Sequence, residues 1–176
     1  VVIGPNCVIE ANAAVLAGSR LDGGVTVGHA SVIGSEGFQW YASAGEMFAV
    51  LHAGGVWLKE GVAIHANVCV DRGVFGDLTV LGQQTKIDNL VHVAHGCQLG
   101  RRNLVVAGAM IAGSVTSGDD VWFGPMCAVS NGVRVGDGAT ITIGAVVTRD
   151  VPPGARVSGN FAVDHERFLD HMRRVR

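Results

Sequence analysis

The chain has 176 residues, of which 16% are charged, 48% are hydrophobic and 26 are glycine. With 13 basic and 15 acidic residues the net charge is -2, which gives no global pull toward nucleic acid or an anionic membrane. This composition is too apolar for a disordered chain, lacks the strict every-third glycine of collagen and contains no run of 18 or more apolar residues that could span a membrane as a helix.

From the N-terminus, a branched aliphatic residue returns at every sixth position: Ile3, Ile9, Val15, Leu21, Val27 and Ile33. The frame stops there, reappears at Leu58, Ile64 and Val70, and loses one residue around Phe75. It resumes at Leu81 and runs through Ile87, Val93, Leu99, Val105 and Ile111 to Val147, with Ser117 as its single break. Four residues after almost all of these comes a small or β-branched residue, among them Ala13, Val25, Cys97, Ala109 and Cys127, and the residue directly after the aliphatic is often glycine. This six-residue unit predicts a parallel β-helix. Three short strands make an 18-residue coil, and the glycines let the backbone turn its corners. About seven coils, stacked at about 4.8 Å, predict a prism roughly 35 Å long in which no coil is stable alone.

Two segments leave the frame, so the domain is expected to occupy residues 1–160 with an excursion loop at 34–57, and residues 161–176 to form a helical tail. The excursion carries Trp40 and the only tyrosine of the chain; long loops on rigid repeats commonly serve binding. Near the end Pro152 and Pro153 are expected to stop the coils, and a short helix opens at Asp164 with Arg167, Arg173, Arg174 and Arg176 giving it a basic last stretch. Cys7, Cys97 and Cys127 fall at the small inward position and Cys69 within a strand, so the four are expected to be free core thiols of a reducing, cytoplasmic protein. No secretory signal or lipidation motif is found. The frame is already running at Val1, as expected where a further segment precedes it.

Chemistry is sought at the corners, whose side chains the core does not need. His95 lies two residues after Val93, and one coil further along the same position is Gly113. A neutral imidazole beside a backbone N–H suits acyl transfer: the histidine takes a proton from an attacking amine or hydroxyl while the amide holds the developing oxyanion. With one residue missing from the frame, Asp71-Arg72 is expected to stack beneath Asp88-Asn89 at a neighbouring corner, either as groups that orient the imidazole or bind a sugar, or as a structural ladder.

The run VDRGVFGDLTVLGQQTKIDNLVHVAHGCQLG at 70–100, followed by VAGAMIAGS at 106–114 and preceded by IGSEGF at 33–38, resembles the UDP-3-O-(3-hydroxyacyl)glucosamine N-acyltransferases of lipid A biosynthesis, with their IDRG, IDNxxxIAHNxxIG, AGxxxxAGS and IGxxGFG motifs. The resemblance implies a left-handed β-helix and a homotrimer with active sites in grooves between prisms. It also implies His95 as general base, Gly113 as oxyanion amide, and Asp88, Asn89 and Phe38 at the (nucleotide-)sugar. No metal or tightly bound cofactor is implied; the thioester of an acyl carrier protein phosphopantetheine or of CoA is the co-substrate. Two departures stand out: the family's second histidine, in an NGH motif, is absent from Asn131-Gly132-Val133, and its N-terminal uridine-binding domain has no counterpart in these residues. The end of the chain, IGAVVTRDVPPGARVSGN at 143–160, is more similar to the closing coils of CoA-dependent sugar acetyltransferases, where Gly144 and Ala145 would let pantetheine lie along the prism. A sugar N- or O-acetyltransferase is therefore the alternative. A γ-type carbonic anhydrase, which needs three zinc-binding histidines, and a non-catalytic scaffold rank below it.

Overall fold

The computed structural model describes residues 1–159 and 162–175. Short strands wind into three parallel sheets of seven, eight and seven strands, the faces of a left-handed parallel β-helix. The aliphatic frame is the register of these sheets: Val15, Ile33, Val70, Val93, Ile111, Val129 and Val147 pair in succession along the third. From Leu21 onward the columns fill the interior together with the small residues facing them. Each fully buried aliphatic contributes about 1.5–3 kcal/mol, and only the coils above and below provide that burial.

Ser117, the break in the frame, is matched by a second polar residue inside the prism. Asn103 is fully buried; its Nδ2 donates to Ser117 Oγ at 2.6 Å and its Oδ1 accepts from Val121 N at 2.7 Å. Two exceptions to the apolar pattern thus satisfy one another, as buried polar groups require.

The corner glycines work differently from expectation. Apart from Gly34, with φ of 90°, those directly after the aliphatic do not supply the left-handed turn; they make room, since a Cβ on Gly28 would lie 2.6 Å from the carbonyl carbon of His65 in the next coil. The turn itself comes two residues later, where φ is positive at Gly96 but also at Leu90, Arg102 and Ser114.

Around Phe75 the frame is corrected as well. Val70 pairs with Val93 and Leu58 with Leu81, so the chain does not lose a residue there; residues 72–77 are an insertion within one coil. The longer excursion is narrower than 34–57, because Val32–Ser35 and Gly55–Leu58 are strands of the prism. Between them Trp40–Ser43 and Glu46–Ala49 form an antiparallel hairpin.

After the two prolines one more strand, Arg156–Val157, joins the second sheet, so the coils continue beyond the expected stop. The helix α1 (His165–Arg174) is capped by Asp164, which accepts from Glu166 N and Arg167 N. The boundary expected at residue 160 and Arg176 lie outside the described residues. Among the described residues no helix is long and apolar enough to cross a membrane.

Replacing Asn103 by Ala strands the Val121 N–H and leaves the Ser117 hydroxyl only the Gly100 N–H as partner, and chemical denaturation is expected to show a loss of about 1–3 kcal/mol, larger than that from Ser117→Ala. All four cysteines are free; burial pushes the Cys97 thiol up to about 12 and that of Cys127 up to about 11. Because the thiolate is the reactive form, both should resist alkylation at neutral pH in the folded protein and react once it is denatured, which mass spectrometry of labelled peptides would show.

Candidate active site

Both insertions leave the prism at the same edge. Residues 36–54 and 72–77 each connect a strand of the third sheet to the next strand of the first. His95 and Gly113 occupy that edge in the next two coils, following the paired strands His92–Val93 and Met110–Ile111. The insertions flank a cleft lined by Gln39, Phe75, Asp77, His95, Ser114 and Asn131. A roomier groove on the first-to-second edge contains Glu60, Arg101 and Arg102 but no histidine, and its arginines are held by Asp119 and Asp120.

The His95 imidazole lies between two glycines. A Cβ on Gly113 would fall 2.6 Å from His95 Cε1 and 2.7 Å from Nε2, and one on Gly37 would fall 3.2 Å from Cδ2. Any side chain at Gly113 would therefore displace the ring. Gly113 is itself buried beneath the imidazole, and its N–H has no hydrogen-bond partner among the described residues. At the same corner position elsewhere, Ala66, Arg101, Ala107 and Asp119 donate theirs to Asn89, Asp119, Asp88 and Asp137. An uncapped donor beside an imidazole can receive an oxyanion next to a proton acceptor.

His52, at 2% exposure, packs edge-on against His95 with ring centroids 5.6 Å apart. Its Nδ1 is 2.9 Å from Val50 O; a carbonyl can only accept, so Nδ1 carries the proton and Nε2 presents a lone pair. That Nε2 is buried without a hydrogen-bond partner among the described residues and faces Gly37.

The other expected site residues are not all at this edge. Asp71 does not stack beneath Asp88: the insertion at 72–77 shifts the register, placing Asp71 one coil from Ala94 at the edge of His95. Asp88 and Asn89 sit on the second-to-third edge as corner caps. Asp88 accepts from Asn89 N at 2.7 Å and Ala107 N at 3.2 Å, and Asn89 accepts from Ala66 N at 3.0 Å. Gly144 is on that edge too, with open space where a Cβ would be. The Ala145 side chain turns inward: at 2% exposure it packs in the core, where its small size is needed, while the residue also lines a surface cavity with Thr148, Arg149 and Ser158. Phe38 is on the hairpin excursion, 93% exposed, 6.4 Å from the Trp40 ring. No three histidines converge among the described residues; one group of three metal-capable side chains does, and it contains a single histidine.

His52, Gly37, Gln39 and Asp77 are the members of the site that sequence reasoning missed. All lie in insertions, where no repeat frame assigns a direction to a side chain. The signal available was negative: the frame is interrupted twice, in the two coils that precede the one carrying His95.

No protein-family model matches the chain. A UDP-3-O-acylglucosamine N-acyltransferase from Wolinella succinogenes is 36% identical over 165 residues, covering 93% of this chain and 52% of the relative. The protein of the same name from a Caulobacter species is 41% identical over 145 residues, covering 82% of this chain and 42% of the relative. The chain thus spans about half the length of the curated relatives it matches. Among solved structures, a UDP-N-acetylglucosamine acyltransferase from Bacteroides fragilis superposes with a TM-score of 0.78 at 26% identity, covering 99% of this chain and 66% of that one. Over most of its own length, the chain is similar in sequence to the UDP-3-O-acylglucosamine N-acyltransferases and in fold to a UDP-N-acetylglucosamine acyltransferase.

Proposed function

We propose that the chain carries the catalytic prism of an acyltransferase that moves an acyl group from a thioester to the amine of a nucleotide-linked sugar. The observation that carries this is the imidazole of His95 seated on Gly113, whose N–H has no hydrogen-bond partner among the described residues. The donor is the thioester of an acyl carrier protein or of CoA, and no tightly bound cofactor is required.

Each step has a group to perform it. The amine attacks the thioester carbonyl, and the carbonyl oxygen, now negative, takes the Gly113 N–H. His95, as neutral imidazole, removes the proton from the new ammonium. When the tetrahedral intermediate collapses, the C–S bond breaks and the imidazolium returns that proton to the departing thiolate. Packing against His52 and against both glycines fixes the ring for this exchange.

Asp88 and Asn89 lie on a different edge of the prism from His95, so within a homotrimer they serve the sugar by facing the His95 cleft of a neighbouring copy. Phe38, exposed on the excursion, offers a ring on which a base can stack. Gly144 leaves its edge open for a pantetheine arm. The setting is the cytoplasm, where carrier-bound acyl groups and nucleotide sugars are both present.

Transfer of labelled acyl groups to a UDP-linked amino sugar, supplied from either carrier protein or CoA, tests this directly. Folded His95→Ala should lose about 10²–10⁴-fold in kcat; a folded variant with full activity would contradict the mechanism. A CoA thioester that works where the carrier protein does not would favour the sugar acetyltransferase suggested by residues 143–160.

A further inference from the structure

Beside the cleft, on the outer face of the third sheet, Cys69, Asp71 and His92 point the same way. Cys69 and His92 are register partners in adjacent coils. Asp71 follows Cys69 by two residues and so shares its face, with a register shift between Val70 and Asp71. Asp71 Oδ2 is 3.4 Å from His92 Nε2, and Asp71 Oδ1 is 3.4 Å from Cys69 Sγ. One donor atom from each of the three lies within 4.8 Å of the other two.

The electrostatics of Asp71 are unusual. It is 3% exposed, yet no lysine or arginine pairs with it among the described residues. The adjacent Arg72 turns away and donates Nε to Gly34 O at 2.7 Å. Its neighbours are a hydroxyl, a thiol and an imidazole: Ser35 Oγ donates to Oδ1 at 2.7 Å, Cys69 lies beside it, and His92 is a cation only when protonated. A carboxylate buried without a permanent cation is costly, and a metal ion is one way to supply the missing charge.

We infer that Cys69, Asp71 and His92 form a binding site for a zinc-class divalent cation, adjoining the His95 cleft: a Cβ on Gly37 would lie 3.3 Å from Asp71 Oδ2 and 3.2 Å from His95 Cδ2. The sulfur, nitrogen and oxygen donor set suits zinc rather than magnesium or calcium. Bonds of about 2.0–2.3 Å meeting at a tetrahedral angle place donors roughly 3.3–3.8 Å apart; Asp71 meets His92 through Oδ2 and Cys69 through Oδ1, each at 3.4 Å, and one donor atom from each residue lies within 4.8 Å of the others, so a small side-chain adjustment closes the set. Cys69 binds as thiolate, releasing its proton to solvent, and His92 binds through neutral Nε2. Ser35 remains hydrogen-bonded to Asp71 and orients the carboxylate from behind. The ion would then join the root of the hairpin excursion, at Ser35, to two successive coils below the His95 cleft.

The test is metal binding, independent of activity. The metal-free protein is titrated with cobalt(II), which reports a thiolate ligand through sulfur-to-metal charge-transfer absorption, and then with competing zinc. One equivalent should bind, Cys69→Ser should abolish the charge-transfer band, and His92→Gln should weaken zinc binding at least about tenfold. His92 is half exposed, so its replacement leaves the core intact, and circular dichroism verifies the fold of both variants. His65→Gln, at the edge of Asp88, should change nothing. Absence of bound zinc at micromolar concentration, or unchanged affinity in either Cys69→Ser or His92→Gln, would overturn the assignment.

Discussion

The parallel register between coils is the constraint on which the rest of the structure depends. Each backbone N–H of a strand must find its carbonyl one coil away, and each inward aliphatic must find its cover there too. A residue cannot be added within a strand without turning every following side chain to the wrong face. Extra residues are therefore admitted at corners, and both insertions of this chain leave at one edge, in the coils that lead up to His95.

The cleft is a consequence of that placement. A flat prism edge would leave His95 as an ordinary exposed corner residue. With the excursions in place it has a wall of loop on one side and the Gly113 backbone on the other, and its ring is set by His52 and Gly37. Glycine matters here for space: at Gly113 a side chain would collide with the imidazole, as at Gly28 one would collide with the next coil. The same physical property packs coils together at one corner and admits a functional group at another.

Much of the fold is legible in the sequence because a six-residue period fixes direction as well as position. The columns through Val70, Val93 and Ile111 follow from counting alone, and the pairing of His95 with Gly113 follows from the 18-residue coil. Counting fails where the period does. Around Phe75 the frame can be continued as a lost residue or as an insertion, and only the second puts Asp71 beside His95 instead of under Asp88. Ala145 is ambiguous in the sequence for a related reason, since a small residue suits the narrow core as well as it suits a ligand groove. His52 belongs to a segment with no period, so nothing in the sequence says that it turns back onto His95.

A crystal structure of the protein with a non-hydrolysable acyl-pantetheine thioether bears most directly on the role of the His95 edge. The expected result is the acyl carbonyl within hydrogen-bonding distance of Gly113 N–H, with His95 Nε2 facing the position of the attacking amine. An acyl group bound instead at the edge of Asp88 and Gly144, far from any His95, would contradict it.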